Sequence, residues 1–177
     1  MGNGVSRAYV DNADNAEKKF LDYVSGLDSS TINDTNDQYL TALAFAAHKG
    51  YMSAVTKLLA SKADVNKSEE FTPLMAASNK GRSNVASALI AAKADVNMVS
   101  ETKGCTALMF AAGSKDESMA KKVTGLLLQA KADVNIVRPD KNVTALSYAQ
   151  GRGHVDLIEM LKTAGDKSCG GGKGCSK

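Results

Sequence analysis

Residues 72–97 read TPLMAASNKGRSNVASALIAAKADVN, and the pattern of this stretch recurs along the chain. Its closing motif, Ala-Asp-Val-Asn, occurs at 63–66, 94–97 and 132–135. Its opening motif, Thr-[Pro/Ala]-Leu, begins at four threonines that lie 31, 34 and 38 residues apart: Thr41, Thr72, Thr106 and Thr144. Self-similarity at a period of roughly 20–50 residues indicates a stack of repeated supersecondary units.

Each unit predicts two short helices. Thr is a good N-cap, because its side chain accepts a backbone N–H of the first helical turn. Pro73 follows Thr72 at the first helical position, where its missing N–H costs nothing. A turn at a glycine such as Gly81 then leads to a second helix, whose apolar residues have i, i+3, i+4 spacing. Neither helix buries its apolar face alone, so the units must stack.

These units resemble the ankyrin repeat family. The resemblance rests on the A-D-V-N segments, on Gly153-His154, and on T-[PA]-L-x-x-A at 41–46, 72–77, 106–111 and 144–149. It implies an all-α, ankyrin-type solenoid of stacked antiparallel helix pairs with hairpin-like connecting turns. It also implies a non-catalytic adaptor or scaffold subunit that docks a protein partner on its concave face. The same scaffold binds unrelated partners, so the resemblance does not identify the partner.

Two departures from the family pattern make local predictions. The glycine that the family places before Ala-Asp is replaced by Lys62, Lys93 and Lys131. If these lysines adopt the left-handed conformation that favours Gly, each costs roughly 1 kcal/mol. The third unit is four residues longer from Thr to Asn than the first two, and we expect the extra residues in the turn around 113–119.

The pattern divides the chain into an N-terminal arm, a repeat array and a tail. We expect residues 1–14 to be a flexible arm and residues 166–177, which are rich in Gly, Lys and Cys, to be disordered. The array covers 15–165, and its predicted parts are an N-terminal cap at 15–33 and units at 34–66, 67–97, 98–135 and 136–165.

Composition and charge exclude several classes of protein. With 22 basic and 19 acidic residues, the net charge of +3 is too balanced for a chain that mainly neutralises nucleic-acid phosphates. No apolar run approaches the ~20 residues of a membrane-spanning helix. The three cysteines form neither a disulfide framework nor a CxxC metal pair. We therefore expect a cytoplasmic protein without a metal, cofactor, nucleic-acid partner or small-molecule substrate.

The sequence offers no catalytic group. His48 and His154 belong to different units, so no Ser-His-Asp or Cys-His arrangement is indicated. His154 belongs to the Gly-His turn and is expected to be structural, whereas His48 is expected to face a partner. The recurrent Asp64, Asp95 and Asp133 are expected to form turns. The protein is therefore predicted not to be an enzyme.

Two stripes of residues are candidates for partner binding. The residue before each repeat threonine is apolar, and the resemblance places it on the hairpin side of the concave surface: Leu40, Phe71, Cys105 and Val143. The second stripe is basic and follows the ends of the first helices: Lys49, Lys80, Lys115 and Arg152. The alternatives are packing against the adjacent hairpin for the first stripe and an ordinary solvated face for the second. Together the stripes suggest a partner with an apolar strip beside acidic groups.

The N-terminal sequence MGNGVS fits the N-myristoylation pattern, with Gly2 as the acceptor and Ser6 at the small-hydroxyl position. The alternative function is therefore a lipidated, membrane-peripheral linker component of a larger complex. One acyl chain gives only reversible attachment, so this association needs a second signal or a partner. Cys169 and Cys175 are candidates for that signal, against the alternative of an unmodified tail.

Overall fold

The computed structural model describes residues 15–36, 40–67 and 70–168, with side chains as far as Gly165. The described residues form nine helices, and their extended pairing is limited to three isolated antiparallel bridges. The helices are α1 Ala16–Ser25, α2 Ala42–Lys49, α3 Met52–Ala60, α4 Pro73–Asn79, α5 Ser83–Ala91, α6 Ala107–Ala112, α7 Glu117–Gln129, α8 Ala145–Arg152 and α9 Val155–Ser168. The prediction of an all-α repeat solenoid is confirmed.

The four repeat threonines cap the first helix of each unit, as predicted. In every unit the threonine Oγ1 accepts the backbone N–H of the residue three positions on, at 3.1 Å for Thr41 and Thr72, 3.3 Å for Thr106 and 3.4 Å for Thr144. A cap of this kind contributes about 1 kcal/mol to helix stability. The caps therefore fix where each unit begins.

The helices stack in two layers. The first helices α2, α4, α6 and α8 contact one another in chain order, and α1, α3, α5, α7 and α9 form the second layer in the same order. Leucines of both layers meet in the core between them and are almost fully buried: Leu43, Leu74 and Leu108 from the first layer, and Leu58, Leu89 and Leu127 from the second. Helix α1 occupies the place of a second helix in an opening half-unit, with Phe20 and Val24 buried.

Each Ala-Asp-Val-Asn segment is connected to the next unit by a side-chain hydrogen bond. Asn66 Oδ1 accepts the backbone N–H of Asp95, and Asn97 Oδ1 accepts that of Asp133, both at 2.8 Å. Asn33 extends the same series to Asp64 at 2.8 Å. Because each bond joins neighbouring units, the series fixes the register of the stack, at about 1 kcal/mol a bond.

Left-handed turns end the helices where the sequence predicts them. Lys62, Lys93 and Lys131 have φ values of 62°, 69° and 65°, so the condition stated for them holds and they adopt the left-handed conformation that favours Gly. Gly50 and Gly153 end the first helices of their units with φ values of 85° and 73°. The backbone therefore tolerates Lys at three positions where Gly has the lower steric cost.

Two sequence-based boundaries need correction. The extra residues of the third unit extend the second helix: α7 has 13 residues, whereas α3 and α5 have nine each. Four residues make about one helical turn, so the insertion lengthens α7 without changing its buried face. At the other end, α9 passes through Gly165 to Ser168, so 166–168 are helical and not disordered as predicted. No unit follows α9 in the described part of the chain, so no turn is needed at Gly165.

Candidate protein-binding surface

The apolar stripe lies along the hairpin-like turns that precede the first helices. Leu40, Phe71 and Val143 are half-buried, and Cys105 is buried. The Phe71 ring packs against the ring of Phe110, with 5.1 Å between the ring centroids and 52° between their planes. Such a pair contributes about 0.5–1.5 kcal/mol beyond its buried area. Phe71 therefore has a share in packing and also presents part of its ring to the surface.

A cavity of about 170 Å³ continues this surface into the third and fourth units. Phe110, Cys105 and Tyr148 line it together with Arg138 and Arg152. Its volume is below the roughly 300–1,000 Å³ of small-molecule pockets, so it suits one large side chain of a partner. Cys105 is buried and forms part of the wall of this cavity.

The polar groups of the cavity bind one another. Arg138 Nη1 donates a hydrogen bond to Tyr148 Oη at 2.9 Å, and Cys105 Sγ lies 3.5 Å from the same hydroxyl. Arg138 also pairs with both carboxylate oxygens of Asp140, at 2.6 and 2.8 Å. Burial raises the pKa of Tyr148, and the hydrogen bond from Arg138 holds the pKa of Asp140 below its usual value. Arg138 thus connects the hairpin at 138–143 to α8 through Tyr148, and its charge is paired with that of Asp140.

The basic stripe follows the turns between first and second helices. Lys49, Lys80 and Lys115 are exposed. Arg152, which is also exposed, donates a hydrogen bond from Nε to the Gly113 carbonyl of the preceding unit at 2.9 Å. Lys49 Nζ lies 5.5 Å from the centroid of the Phe45 ring. The four members are therefore exposed, and the last one is held by a hydrogen bond to the preceding unit.

His48 lies half-buried at the end of α2, between cations of its own unit and the next. Burial lowers its pKa most, and the charges of Lys80, Lys49 and Arg82 lower it further. Arg82 lies across the turn of the preceding unit: a Cβ added at Gly50 would be 2.9 Å from Arg82 Cδ. Positive charge from both units therefore converges on one imidazole.

His154 has the structural role predicted for it. It is 6% exposed, and its Nε2 donates a hydrogen bond to the Ser114 carbonyl at 2.8 Å. Its Nδ1 lies 3.9 Å from a carboxylate oxygen of Glu117. Like the bond from Arg152 to Gly113, these contacts join the fourth unit to the third.

Sequence reasoning missed Phe110, Tyr148, Arg82 and Arg138. Phe110 and Tyr148 both lie four residues after a repeat threonine, so an alignment of the units on their threonines would have placed them side by side. Arg82 follows Lys80 by two residues, so the same alignment of the units would have pointed to it. Arg138 lies in a hairpin whose sequence differs from the other connections, so no repeat signal points to it.

A larger cavity is lined by none of the predicted partner-binding residues. It is a groove of about 1,020 Å³ between α7 and α9, lined by Leu128, Val134 and Met160 among others. Across the described ranges, no group of His, Cys, Asp and Glu is placed to hold a metal ion. None of the described helices combines the length and the apolar character needed to cross a membrane. Gly2, Cys169 and Cys175 lie outside the described residues, so lipidation stays a prediction.

Stacked helix pairs, an exposed turn layer and a connected surface of aromatic and basic side chains define a helical repeat protein suited to binding through its surface. The family model for ankyrin repeats (3 copies) matches residues 11–100 and residues 88–170, so the chain belongs to the ankyrin repeat family. That model describes three copies, whereas the described residues hold α1 and four helix pairs. No curated protein matches the chain. Ankyrin repeats are in general protein-interaction modules and are typically non-catalytic.

Proposed function

We propose that this protein is a cytoplasmic, non-catalytic adaptor or scaffold subunit that binds a protein partner on its concave face. In an ankyrin array this face is formed by the first helices and the hairpin-like turns. The observation that carries the proposal is the half-exposed Phe71–Phe110 pair beside the cavity at Cys105 and Tyr148. Aromatic side chains next to a small pocket are typical centres of protein interfaces.

The basic stripe supports the same face. Lys49 and Lys80 are exposed at the turns that connect the two helix layers. Charges at the rim of an interface mainly accelerate association and select the partner by complementarity. The proposed partner therefore offers an apolar side chain to the Phe71–Phe110 pair and acidic groups to the rim.

The substitution Phe71→Glu tests this function. We expect it to weaken partner capture by at least ~2 kcal/mol, because it places a charge at the aromatic centre of the interface. Helicity should be retained, and stability should fall only by about the 0.5–1.5 kcal/mol of the aromatic pair. Cross-linking in native lysate, with quantitative mass spectrometry of the wild type and the variant, measures capture.

Val155→Glu is the matched control, because Val155 is 71% exposed on α9, in the other helix layer. Capture by this variant should equal that of the wild type. Equal losses with both variants would contradict docking on the first-helix face. Unfolding of Phe71→Glu would show that Phe71 belongs to the core, and the proposed interface would then be wrong.

A further inference from the structure

The turns of the first two units carry three cations and a histidine that form no ion pair among the described residues. We call His48, Lys49, Lys80 and Arg82 the basic turn cluster. Lys49 is the last residue of α2, and Lys80 and Arg82 lie between α4 and α5. The ion pairs of the described chain involve Lys103, Lys121, Arg138 and His154, and none includes a member of the cluster.

The three cations of the cluster surround His48 at the end of α2. Arg82 covers the Gly50 turn, which places its side chain next to the end of α2 where His48 lies. The groups that lower the pKa of His48 come from both neighbouring units, namely Lys49 from α2, Lys80 after α4 and Arg82 before α5. No carboxylate is among them. An anion placed here would therefore meet several cations at once. Two described carboxylates lie beside these turns: Glu17 Oε1 accepts the Ser53 N–H, and Asp116 Oδ1 accepts the N–H of Met119, which lies against Gly81. Neither forms an ion pair with a member of the cluster.

We propose that the basic turn cluster binds an acidic segment of the protein partner, and that His48 takes up a proton when this segment docks. The proposal rests on the proposed function, because the occupant is taken to be a segment of the partner. Charge complementarity identifies its chemistry: cations that form no ion pair among the described residues fit a segment of several Glu or Asp residues. A carboxylate beside the imidazole offsets the charges of Lys80, Lys49 and Arg82 and favours the imidazolium.

The consequence is binding that strengthens in acid. His48 is the member of the cluster whose side-chain type changes charge near neutral pH. If docking raises the pKa of His48 by about one unit, affinity at a pH below both values exceeds affinity at high pH about tenfold. The affinity for the partner's acidic segment would thus depend on pH.

Histidine NMR tests the proton uptake directly, because the chain has only two histidines. The probe is hexaglutamate, titrated into the full chain from about pH 5 to 8, and hexaglutamine is the uncharged control. We expect saturating hexaglutamate to raise the pKa of His48 by about 0.5–1 unit, whereas the ring signals of buried His154 should not respond to the peptide. Hexaglutamate binding that leaves His48 unchanged, or no binding at all, would overturn the proposal.

Variants locate the binding site. Lys80→Gln and Arg82→Gln should each weaken hexaglutamate binding about twofold to fivefold, as expected for exposed ion pairs. Lys122→Gln removes the same charge from an exposed site on α7 and should have no effect. His48→Gln should abolish the change of affinity with pH. Equal weakening by Lys122→Gln would show that only net charge matters and would contradict a specific cluster.

Two further probes separate the proposed occupant from other anionic surfaces. Phosphatidylserine vesicles and a short DNA duplex are added as competitors at physiological salt. The potency of each competitor is compared with that of free hexaglutamate, as the concentration of anionic charge needed for displacement. If vesicles or DNA displace bound hexaglutamate at a lower concentration of charge than free hexaglutamate does, the assignment to an acidic peptide segment is wrong. The hexaglutamate assays do not need the partner, so the two proposals can fail separately. Negative hexaglutamate assays would leave the proposed docking at Phe71 intact. A negative Phe71→Glu test would leave the binding of hexaglutamate to the cluster intact.

Discussion

The two histidines lie in equivalent regions of different units and have opposite surroundings. His154, in the turn between α8 and α9, is buried, hydrogen-bonded to Ser114 and close to the carboxylate of Glu117. His48, beside the turn between α2 and α3, is half-buried among Lys49, Lys80 and Arg82. The neighbouring unit therefore decides the surroundings of a turn histidine: the third unit binds His154 through Ser114, whereas the second unit places cations beside His48.

The cations of the two regions differ in the same way. In the last two units Arg138 pairs with Asp140, and Arg152 bonds to the Gly113 carbonyl. In the first two units the described residues offer no ion pair to Lys49, Lys80 or Arg82. A count of basic residues along the stripe does not reveal this asymmetry, because it depends on which acidic and carbonyl groups the next unit brings near.

The largest expected difference between the two regions is in stability. His154→Ala should lower the free energy of unfolding by about 1–3 kcal/mol, because it leaves the Ser114 carbonyl without its partner in a buried site. His48→Ala should change it by less than about 0.5 kcal/mol, as is usual for positions without specific contacts. Urea unfolding followed by circular dichroism measures both. Similar losses for the two variants would show that His48 is also structural, and the comparison would fail.

A pair of glycine substitutions separates stability from binding. Gly50 and Gly153 have the same left-handed conformation, so Gly50→Ala and Gly153→Ala should each cost about 1–2 kcal/mol. At Gly153 an added methyl group meets no atom within 4 Å, whereas at Gly50 it would displace the flexible end of Arg82. Gly50→Ala alone should therefore weaken hexaglutamate binding.

Unfolding and peptide-binding measurements on both glycine variants check this expectation. A binding defect in Gly153→Ala would mean that the strain of the turn acts at a distance. An unchanged affinity in Gly50→Ala would remove Arg82 from the basic turn cluster.

Most of the fold could be predicted from the sequence because each unit carries its own signals. The threonine caps depend only on residues three positions apart, and the left-handed lysines occupy the position that the family reserves for Gly. The two errors share a cause. Whether the insertion near 113–119 and the segment after Gly165 become helix or loop depends on packing between units, which local pattern does not contain.

The candidate surface was only partly predictable, for the same physical reason. Phe71 and Lys80 were found because the repeat pattern marks their positions. The partners of these residues were missed: the ring of Phe110 comes from the following unit, and Arg82 reaches back over Gly50. Contacts between units are set by side-chain reach across about 30 residues of sequence, a separation typical of such repeats, which no motif records.

The smallest expected effect is the dependence of folding stability on the charge of His48. Its pKa in the folded chain lies below the ordinary value of 6.5, through burial first and then the charges of Lys80, Lys49 and Arg82. As pH falls through 6.5, the unfolded chain therefore binds the proton first, and stability decreases until the folded chain is protonated too. The loss should be small, because water screens a half-exposed group.

Asp28 does not interfere with this measurement, since hydrogen bonds from Ser30 and Thr31 lower its pKa to about 2. Urea unfolding of the wild type and His48→Gln between about pH 5 and 8 isolates the effect, because the two proteins differ only at residue 48. The free energy of unfolding of the wild type, relative to that of His48→Gln, should increase as pH rises. A relative stability that decreases with pH would mean that an unrecognised carboxylate faces His48. The basic turn cluster would then already be occupied by a carboxylate of the protein itself.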